Sequence, residues 1–144
     1  MYMDAEIEFS DSQAVTASAI STNVYDRGAA PTLADIGTGE DLTLVVQVDT
    51  LPVSAGASTL IVTLESDSTA DLATSATTHY TSASFLKAAL AAGTEVARVH
   101  LPAGSYERYI GIRYTVGVAD YTAGAFSAYV VKDAQADAIL PDAL

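Results

Sequence analysis

Apolar side chains recur at every second position in residues 108–132, RYIGIRYTVGVADYTAGAFSAYVVK. In the first half one parity holds Ile110, Ile112, Tyr114 and Val116, and in the second half one parity holds Phe126, Ala128 and Val130. Side chains alternate between the two faces of a β-strand, so each half predicts a strand with one buried face. The connection at residues 118–124 is short and contains glycine, and the pattern therefore predicts that the two strands form a β-hairpin.

The same period predicts strands elsewhere in the chain. Within residues 42–48 and 59–66, the apolar positions of one parity are Leu42, Leu44, Val46, Val48, Leu60, Val62 and Leu64. Further strands are predicted at residues 13–25, with a bend, and at residues 94–101, and residues 79–81 have an extended pattern. Residues 84–92 (SFLKAALAA) favour a strand, with a helix as the alternative because Leu, Lys and Ala are good helix formers.

Turn-forming residues separate these strands. Asp26-Arg27-Gly28 predicts a turn in which Gly28 takes a positive φ at low cost. Proline and glycine predict loops at residues 29–41 and 50–58, and small polar residues predict an exposed loop at residues 67–78, with a short helix as the alternative. About seven to nine strands without βαβ alternation predict an all-β fold, namely an antiparallel β-sandwich of the jelly-roll type.

The chain of 144 residues is predicted to form one domain that spans residues 1–144. Residues 1–12 are acidic, with Tyr2 and Phe9 among their apolar anchors, and they predict either a first strand or an N-terminal arm. Residues 133–144 are acidic and rich in alanine, and they predict a C-terminal tail that packs only in part.

The charge balance excludes some classes of partner. Six Lys and Arg residues face 18 Asp and Glu residues, so the net charge is −12. Nucleic-acid binding depends largely on basic side chains that neutralise phosphates, and binding to anionic membranes depends on them as well. We therefore expect neither nucleic acid nor membrane as a partner. The negative charge fits either simple solubility or attraction to a basic partner surface or to cations.

The chain contains no cysteine, which excludes disulfides, cysteine nucleophiles and thiolate metal sites. Its first residues, MYMDAEIEF, lack the basic start and apolar run of a secretory signal peptide. No apolar stretch reaches the length of a transmembrane helix. We expect a soluble protein that is made in a cytoplasm.

Catalytic patterns are weak in this sequence. His79 and His100 are the only histidines, no GxSxG pattern occurs, and a metal site of two histidines lacks close ligand spacing. Asp4, Glu6 and Glu8 share one face of a strand, but such acids are typical of solvated edges. A glycosidase would need two carboxylates in a cleft, normally with aromatic platforms. We expect no enzyme activity.

Patterns for cofactors and metals are equally weak. Asp67, Asp71 and Asp120 could bind calcium, but no DxDxDG loop supports them. Residues 37–39 form a lone GxG that follows a loop, which is poor evidence for a dinucleotide site. No cofactor or metal is expected. Arg98, Arg108 and Arg113 near the last strands either pair with carboxylates or mark a patch that contacts a partner.

Several separate blocks of the sequence resemble one known family. The blocks are MYMDAEIEFSDSQAVT, STNVYDRG, ADIGTGEDLTLVVQVDT and LPAGSYERYIGIRYTVGVADYTAGAFSAYVV. In this order, over roughly residues 1–133, they resemble the Bbp16-type capsid cement proteins of tailed bacteriophages. Residues 67–78 and the segment that follows to residue 93 match less clearly.

The resemblance implies a jelly-roll domain that decorates the outer surface of an icosahedral capsid built from an HK97-like major capsid protein. Proteins of this kind hold neighbouring capsomers together as dimers or trimers on local symmetry axes, and a dimer is favoured here. It implies a structural protein of the virion, made in the host cytoplasm, and no catalytic residues. The net negative charge fits an outer surface, whereas a lining that faces packaged DNA would be repelled.

The predicted contacts with a partner lie at two places. The N-terminal segment contributes Tyr2, Asp4 and Phe9, and the start of a late strand contributes Arg108 and Tyr109. The alternative function is a carbohydrate-binding or adhesin-like β-sandwich. In that alternative, five exposed tyrosines would form a sugar platform: Tyr2, Tyr80, Tyr106, Tyr109 and Tyr121.

Overall fold

A computed structural model describes residues 2–36 and 39–132, with side chains from Asp4 onward. Its regular elements are β-strands and one turn of 3-10 helix, Lys87–Ala89. The strands are β1 Tyr2–Ala14, β2 Ala19–Ile20, β3 Tyr25–Asp26, β4 Leu42–Val53, β5 Thr59–Asp67, β6 Thr77–Thr81, β7 Phe85–Leu86, β8 Glu95–His100, β9 Tyr109–Gly117 and β10 Ala123–Lys132.

These strands form two antiparallel sheets that pack as a sandwich, which confirms the predicted all-β fold class. The four-stranded sheet has the order β1-β10-β4-β8. The six-stranded sheet has the order β2-β9-β5-β6, with β3 also paired to β9 and β7 also paired to β5. Along the chain, β4, β8 and β10 lie in the four-stranded sheet, and β5 and β9 lie in the six-stranded sheet. The short strands β6 and β7, between β5 and β8, belong to the six-stranded sheet as well.

The core lies between the two sheets and is built from the parities that the sequence pattern indicates. Its central members are fully buried: Leu44, Val46, Leu60, Val62, Leu64, Ile110, Ile112, Tyr114, Phe126, Ala128 and Val130. The rings of Tyr114 and Phe126 meet across the core with centroids 5.6 Å apart. The Tyr114 hydroxyl donates to Ser10 Oγ at 3.0 Å, so its polar atom is paired inside the apolar layer.

The predicted β-hairpin of residues 108–132 is wrong. Both strands form, but β9 pairs with β5 and β10 pairs with β1 and β4, so they lie in opposite sheets. The connection of residues 118–122 crosses the roughly 10 Å between the sheets. It is anchored by backbone N–H groups: Tyr121 donates to Thr16 O at 2.8 Å and Thr122 donates to Val53 O at 2.7 Å. Alternating burial fits a hairpin and two facing strands equally well, and here the facing arrangement buries Tyr121.

The predicted strand of residues 13–25 is wrong over most of its length, because only the end of β1, the two-residue β2 and the first residue of β3 fall within it. The remaining local predictions differ in extent. Residues 2–12 belong to β1, an edge strand, rather than to a free arm. β4 continues to Val53, so the predicted loop of residues 50–58 begins later. The ambiguous residues 84–92 form both elements briefly, as β7 and one turn of 3-10 helix. The predicted tail, residues 133–144, lies outside the described residues. Within the described ranges, no helix is long and apolar enough to span a membrane.

The β5–β6 connection folds onto the outer face of the six-stranded sheet. Asp67 ends β5, and its carboxylate accepts backbone N–H bonds from Ser68, Thr74 and Ser75 at 2.6, 3.0 and 3.2 Å. Burial raises the pKa of Asp67, but these donors together outweigh burial and hold the pKa below its ordinary value. The carboxylate thus orders the loop as a fixed acceptor.

Leu72, in the same connection, is buried against β9 where Gly111 leaves room for it. A Cβ at Gly111 would stand 2.9 Å from Leu72 Cδ1 and 3.2 Å from Ser21 Oγ. Gly111→Ala should therefore lower the free energy of unfolding by about 1–3 kcal/mol through overpacking, measured by urea denaturation.

The matched control is Gly104→Ala, because a Cβ there would meet His79 Nδ1 at an ordinary 3.5 Å. We expect Gly104→Ala to leave the unfolding midpoint within error. Equal midpoints for the two variants would contradict the assigned packing of Leu72 on β9.

Candidate contact surface

The structure separates the five residues predicted to contact a partner. The backbone of Tyr2 pairs with Lys132 at the start of β1. Asp4 is exposed, and Arg108 and Tyr109 are partly exposed at the start of β9. Phe9 is 1% exposed and belongs to the core. A buried ring offers no area to a partner, so Phe9 is removed from the contact set and anchors β1 instead.

β1 presents its acids on the outside of the four-stranded sheet. Asp4 and Glu6 are exposed and Glu8 is half-buried, while Phe9 faces the core. Asp4 Oδ1 accepts the backbone N–H of Glu6 at 3.0 Å. Among the described strands, β1 is the outermost of its sheet, and its Glu8 and Phe9 oxygens accept hydrogen bonds from Asn23 at 3.2 and 2.9 Å.

A shallow groove of about 650 Å³ lies beside the two predicted contact regions, although none of the five predicted residues lines it. One wall is Ala5 and Glu6 of β1, and the other is formed by residues 20–26, which include β2 and β3. Asp26 lines this second wall and binds Arg108, so β1 and the start of β9 flank one surface. We call the groove with Asp4, Arg108 and Tyr109 the groove surface.

Arg108 is held in place by Asp26, a residue that the sequence alone did not connect to it. Its Nε donates to Asp26 Oδ1 at 2.8 Å and its Nη2 donates to Oδ2 at 2.9 Å, a bidentate pair. The guanidinium carbon also lies 4.8 Å from the centroid of the Tyr109 ring. The hydrogen bonds from Arg108, and then from the Gly28 N–H, lower the pKa of Asp26 to about 2.

Arg27, next to Asp26 at the rim of the groove surface, was also missed by sequence reasoning. Its Nε donates to Ala34 O at 2.7 Å, and its Nη1 donates to the backbone oxygens of Tyr106 and Glu107. It therefore ties the β3–β4 connection to the segment that enters β9. The only signal in the sequence was its place beside the Asp26–Gly28 turn, which does not identify an acceptor.

All six basic side chains donate within the chain. Arg27 and Lys87 donate to backbone carbonyls. The other four form ion pairs with carboxylates: Arg98 with Glu95, Arg108 with Asp26, Arg113 with Glu65 and Lys132 with Glu40. The 18 Asp and Glu residues outnumber the six Lys and Arg residues three to one, so the surface potential is negative.

One partly buried pair, Ser66 and His79, has the composition of a nucleophile and its base. Ser66 Oγ and His79 Nε2 are 2.7 Å apart, and the Glu107 N–H donates to Ser66 Oγ at 3.1 Å. The His79 ring stacks on Tyr106 with centroids 4.0 Å apart. Ser66 has no exposed area, so no substrate reaches its hydroxyl in this structure. The pair instead joins β5 and β6 to the segment that precedes β9.

Two earlier site hypotheses can be compared with the structure. Within residues 2–36 and 39–132, no group of three or more His, Asp or Glu residues is placed to hold a metal ion. The five-tyrosine sugar platform is wrong, because Tyr106 and Tyr121 are buried in the core. Tyr80 and Tyr109 are partly exposed.

The strand order and the absence of any regular helix longer than one turn from the described residues define the chain as an all-β sandwich protein. A family model named Bbp16 matches residues 9–130, and the chain belongs to the Bbp16 family. The matched range runs from within β1 to the end region of β10. The family name suggests a phage protein. No curated protein matches the chain.

The pKa of Asp26 should depend on its ion pair with Arg108. The pKa of Asp26, followed by NMR titration, should be about 2 in the native chain and should rise toward the ordinary 3.8 in Arg108→Gln. Because the folded pKa is depressed, the pair stabilises the fold above pH 3.8, and this stabilisation is lost as the pH falls toward 2.

Arg98→Gln is the control for this titration. It should leave Asp26 unchanged and raise the pKa of Glu95, which Arg98 holds below its ordinary value through a side-chain hydrogen bond. A rise in the pKa of Asp26 in both variants would show that the loss of one positive charge, rather than the bidentate contact, sets this pKa.

Protonation of His79 should lower the stability of the fold in mild acid. Burial lowers the pKa of His79, with the Glu107 charge opposing it in part, so the folded state favours the neutral ring. The unfolded chain then binds a proton more readily, and the free energy of unfolding should fall as the pH drops below 6.5.

The measurement is urea unfolding between about pH 7.5 and 5.5, a range chosen around the histidine pKa. His79→Gln should cost about 1 kcal/mol at neutral pH, through the bond to Ser66, and should flatten the pH dependence. His100→Gln is the control, since His100 is an exposed partner of Asp41. If the free energy of unfolding of His79→Gln fell with pH as steeply as that of the native chain, protonation of His79 would not be its cause.

Proposed function

We propose that the chain is a capsid cement protein that binds the outer surface of an HK97-like icosahedral phage capsid. It bridges the joints between capsomers formed by the major capsid protein, and it works as a homo-oligomer, with a dimer favoured. The observation that carries the proposal is the match to Bbp16 over residues 9–130. The match covers both sheets, so the resemblance extends to the whole sandwich and not to an isolated motif.

We infer further that the sandwich is of the jelly-roll type. In support, the two sheets have the orders β1-β10-β4-β8 and β2-β9-β5-β6, and strands β1, β4 and β8 of the four-stranded sheet are each followed in the chain by strands of the other sheet. Double-sheet jelly rolls have this alternation, which brings the first and last strands side by side. β1 and β10 are paired along most of their length here.

The charge distribution supports an outer position on the shell. A protein that lined the inside would face packaged DNA, and its net charge of −12 would be repelled by the phosphates. Each of the six basic side chains already donates a hydrogen bond to an acceptor within the chain, which leaves it poorly placed to neutralise a phosphate. The proposed site of action is therefore the virion exterior, after synthesis in the host cytoplasm.

The groove surface is the proposed contact with the shell. Among the described residues, β1 is an edge strand whose backbone is bonded to Asn23 only near Glu8 and Phe9, and the start of this edge suits strand addition or side-chain contact with a neighbouring protein. Many weak contacts on a closed shell add up, because one bound contact raises the effective concentration of the next. The role is structural and needs no catalytic group.

Co-sedimentation with capsids tests the proposal. The purified chain is mixed with capsids of its own phage that lack it, and with capsids of an unrelated phage. We expect saturable, stoichiometric binding to the matched shell only, with increased resistance of that shell to heat. Arg108→Gln should weaken binding, whereas Arg98→Gln should not. No binding to the matched shell at any salt concentration would disprove the cement role.

A further inference from the structure

One end of the sandwich is neutral in a strongly acidic chain. It consists of residues 53–58, 85–89 and 117–121, which we call the neutral end. Hydrogen bonds hold its three segments together: Ser58 Oγ donates to Ala119 O at 2.6 Å, and the Lys87 backbone N–H donates to Ser58 O at 3.0 Å. The only charged residues of the neutral end are Lys87 and Asp120, whose charges cancel. The whole net charge of −12 therefore lies elsewhere.

Large apolar side chains are exposed at the same end. Among the described residues, five large apolar side chains are notably exposed, and three of them, Val53, Leu86 and Val118, belong to the neutral end. Leu33, by contrast, lies near Arg27 at the opposite end of the sandwich. Exposed apolar groups that gather on one surface mark an interaction site more often than scattered ones do.

Val118 combines an exposed apolar side chain with an unfavourable backbone conformation, in a turn that the Ala119 N–H closes by donating to Gly117 O at 2.9 Å. It is 81% exposed, and its φ of 71° lies in the left-handed region. A β-branched residue rarely adopts this conformation, which favours glycine or asparagine. Backbone strain of this kind concentrates at functional sites, where the side chain serves a purpose beyond folding.

We propose that two copies of the chain meet through their neutral ends, with Val118 and Leu86 at the centre of the contact. The charge distribution selects a second copy as the occupant. Two acidic chains repel each other, and the neutral end is the surface through which they approach at the lowest electrostatic cost. A two-fold axis makes the contact self-complementary, because each copy presents the same patch to the other.

Lys87 and Asp120 support this pairing. Lys87 Nζ donates to Ser54 O at 2.5 Å but pairs with no carboxylate among the described residues. Asp120 is exposed, and no ion pair within the described ranges includes it. Across a two-fold axis, the Lys87 of each copy can face the Asp120 of the other, so both charges gain a partner of opposite sign.

The area of the neutral end limits the expected affinity of the dimer. Four strands at about 4.8 Å and two sheets about 10 Å apart give an end of roughly 20 Å by 20 Å, or about 400 Å². A stable interface takes about 800 Å² from each partner, so the contact is small. We expect a dimer that dissociates in the micromolar range in solution.

Sedimentation velocity from about 1 µM to about 500 µM tests the proposal, since this range brackets micromolar dissociation. The native chain should pass from monomer to dimer with rising concentration. Val118→Asn and Leu86→Asp should each raise the dissociation constant at least about tenfold. Val118→Asn should not lower the thermal unfolding midpoint, because asparagine tolerates a positive φ. Leu33→Asp, the control at the opposite end, should dimerise like the native chain.

Charge exchange adds a second arm to the test. Lys87→Asp and Asp120→Lys should each weaken the dimer, and the double variant should restore it. A chain that stays monomeric throughout this concentration range would overturn the proposal. So would an oligomer that Val118→Asn and Leu86→Asp leave intact.

The inference deepens the homo-oligomer part of the proposed function and rests on that part alone. Capsid co-sedimentation reports on shell binding, and sedimentation of the isolated chain reports on the neutral end, so failure of one is distinct from failure of the other. Loss of shell binding in Val118→Asn while the native chain remains monomeric would assign the neutral end to the capsid, against the proposal.

Discussion

The structure depends on the burial of the inner faces of two sheets against each other. The central strands β4, β5, β9 and β10 each supply an apolar face of alternate residues, and no face has another place to be buried. Each large buried side chain contributes about 1.5–3 kcal/mol relative to exposure, so this layer dominates the free energy of folding. The contact of Tyr114 with Phe126 lies in this layer and links β9 to β10 across it.

The position of β9 and β10 in opposite sheets determines the two surfaces of interest. The connection of residues 118–122 must cross between the sheets, and this crossing places Val118 at the neutral end. The other end of β9 brings Arg108 beside Asp26 of β3, because Asp26 and Tyr109 are register partners. One end of the sandwich is therefore charged and pinned by ion pairs, while the other is neutral and apolar.

The candidate contact surface was predictable only in part. The position of Arg108 and Tyr109 at a strand start, after a Pro-Gly turn, was visible in the sequence. Their partner was not, because Asp26 lies 82 residues away and becomes a neighbour only through the β3–β9 pairing. Phe9 was misplaced for a similar reason: a short acidic segment reads as an arm unless its pairing with β10 is known. The groove itself has no signature in a single segment.

The sequence by itself determined where the long strands β4, β5, β9 and β10 run and which of their faces is buried, because side-chain alternation is a local consequence of strand geometry. The inward residues Leu44, Leu60, Ile112 and Phe126 followed from it directly. Only the tertiary structure decided which strands pair. Two strands with matching periods satisfy the same pattern as a hairpin or as facing strands, and the choice depends on burying every apolar face at once. That global condition also left one end of the sandwich with Lys87 and Asp120 as its charged residues.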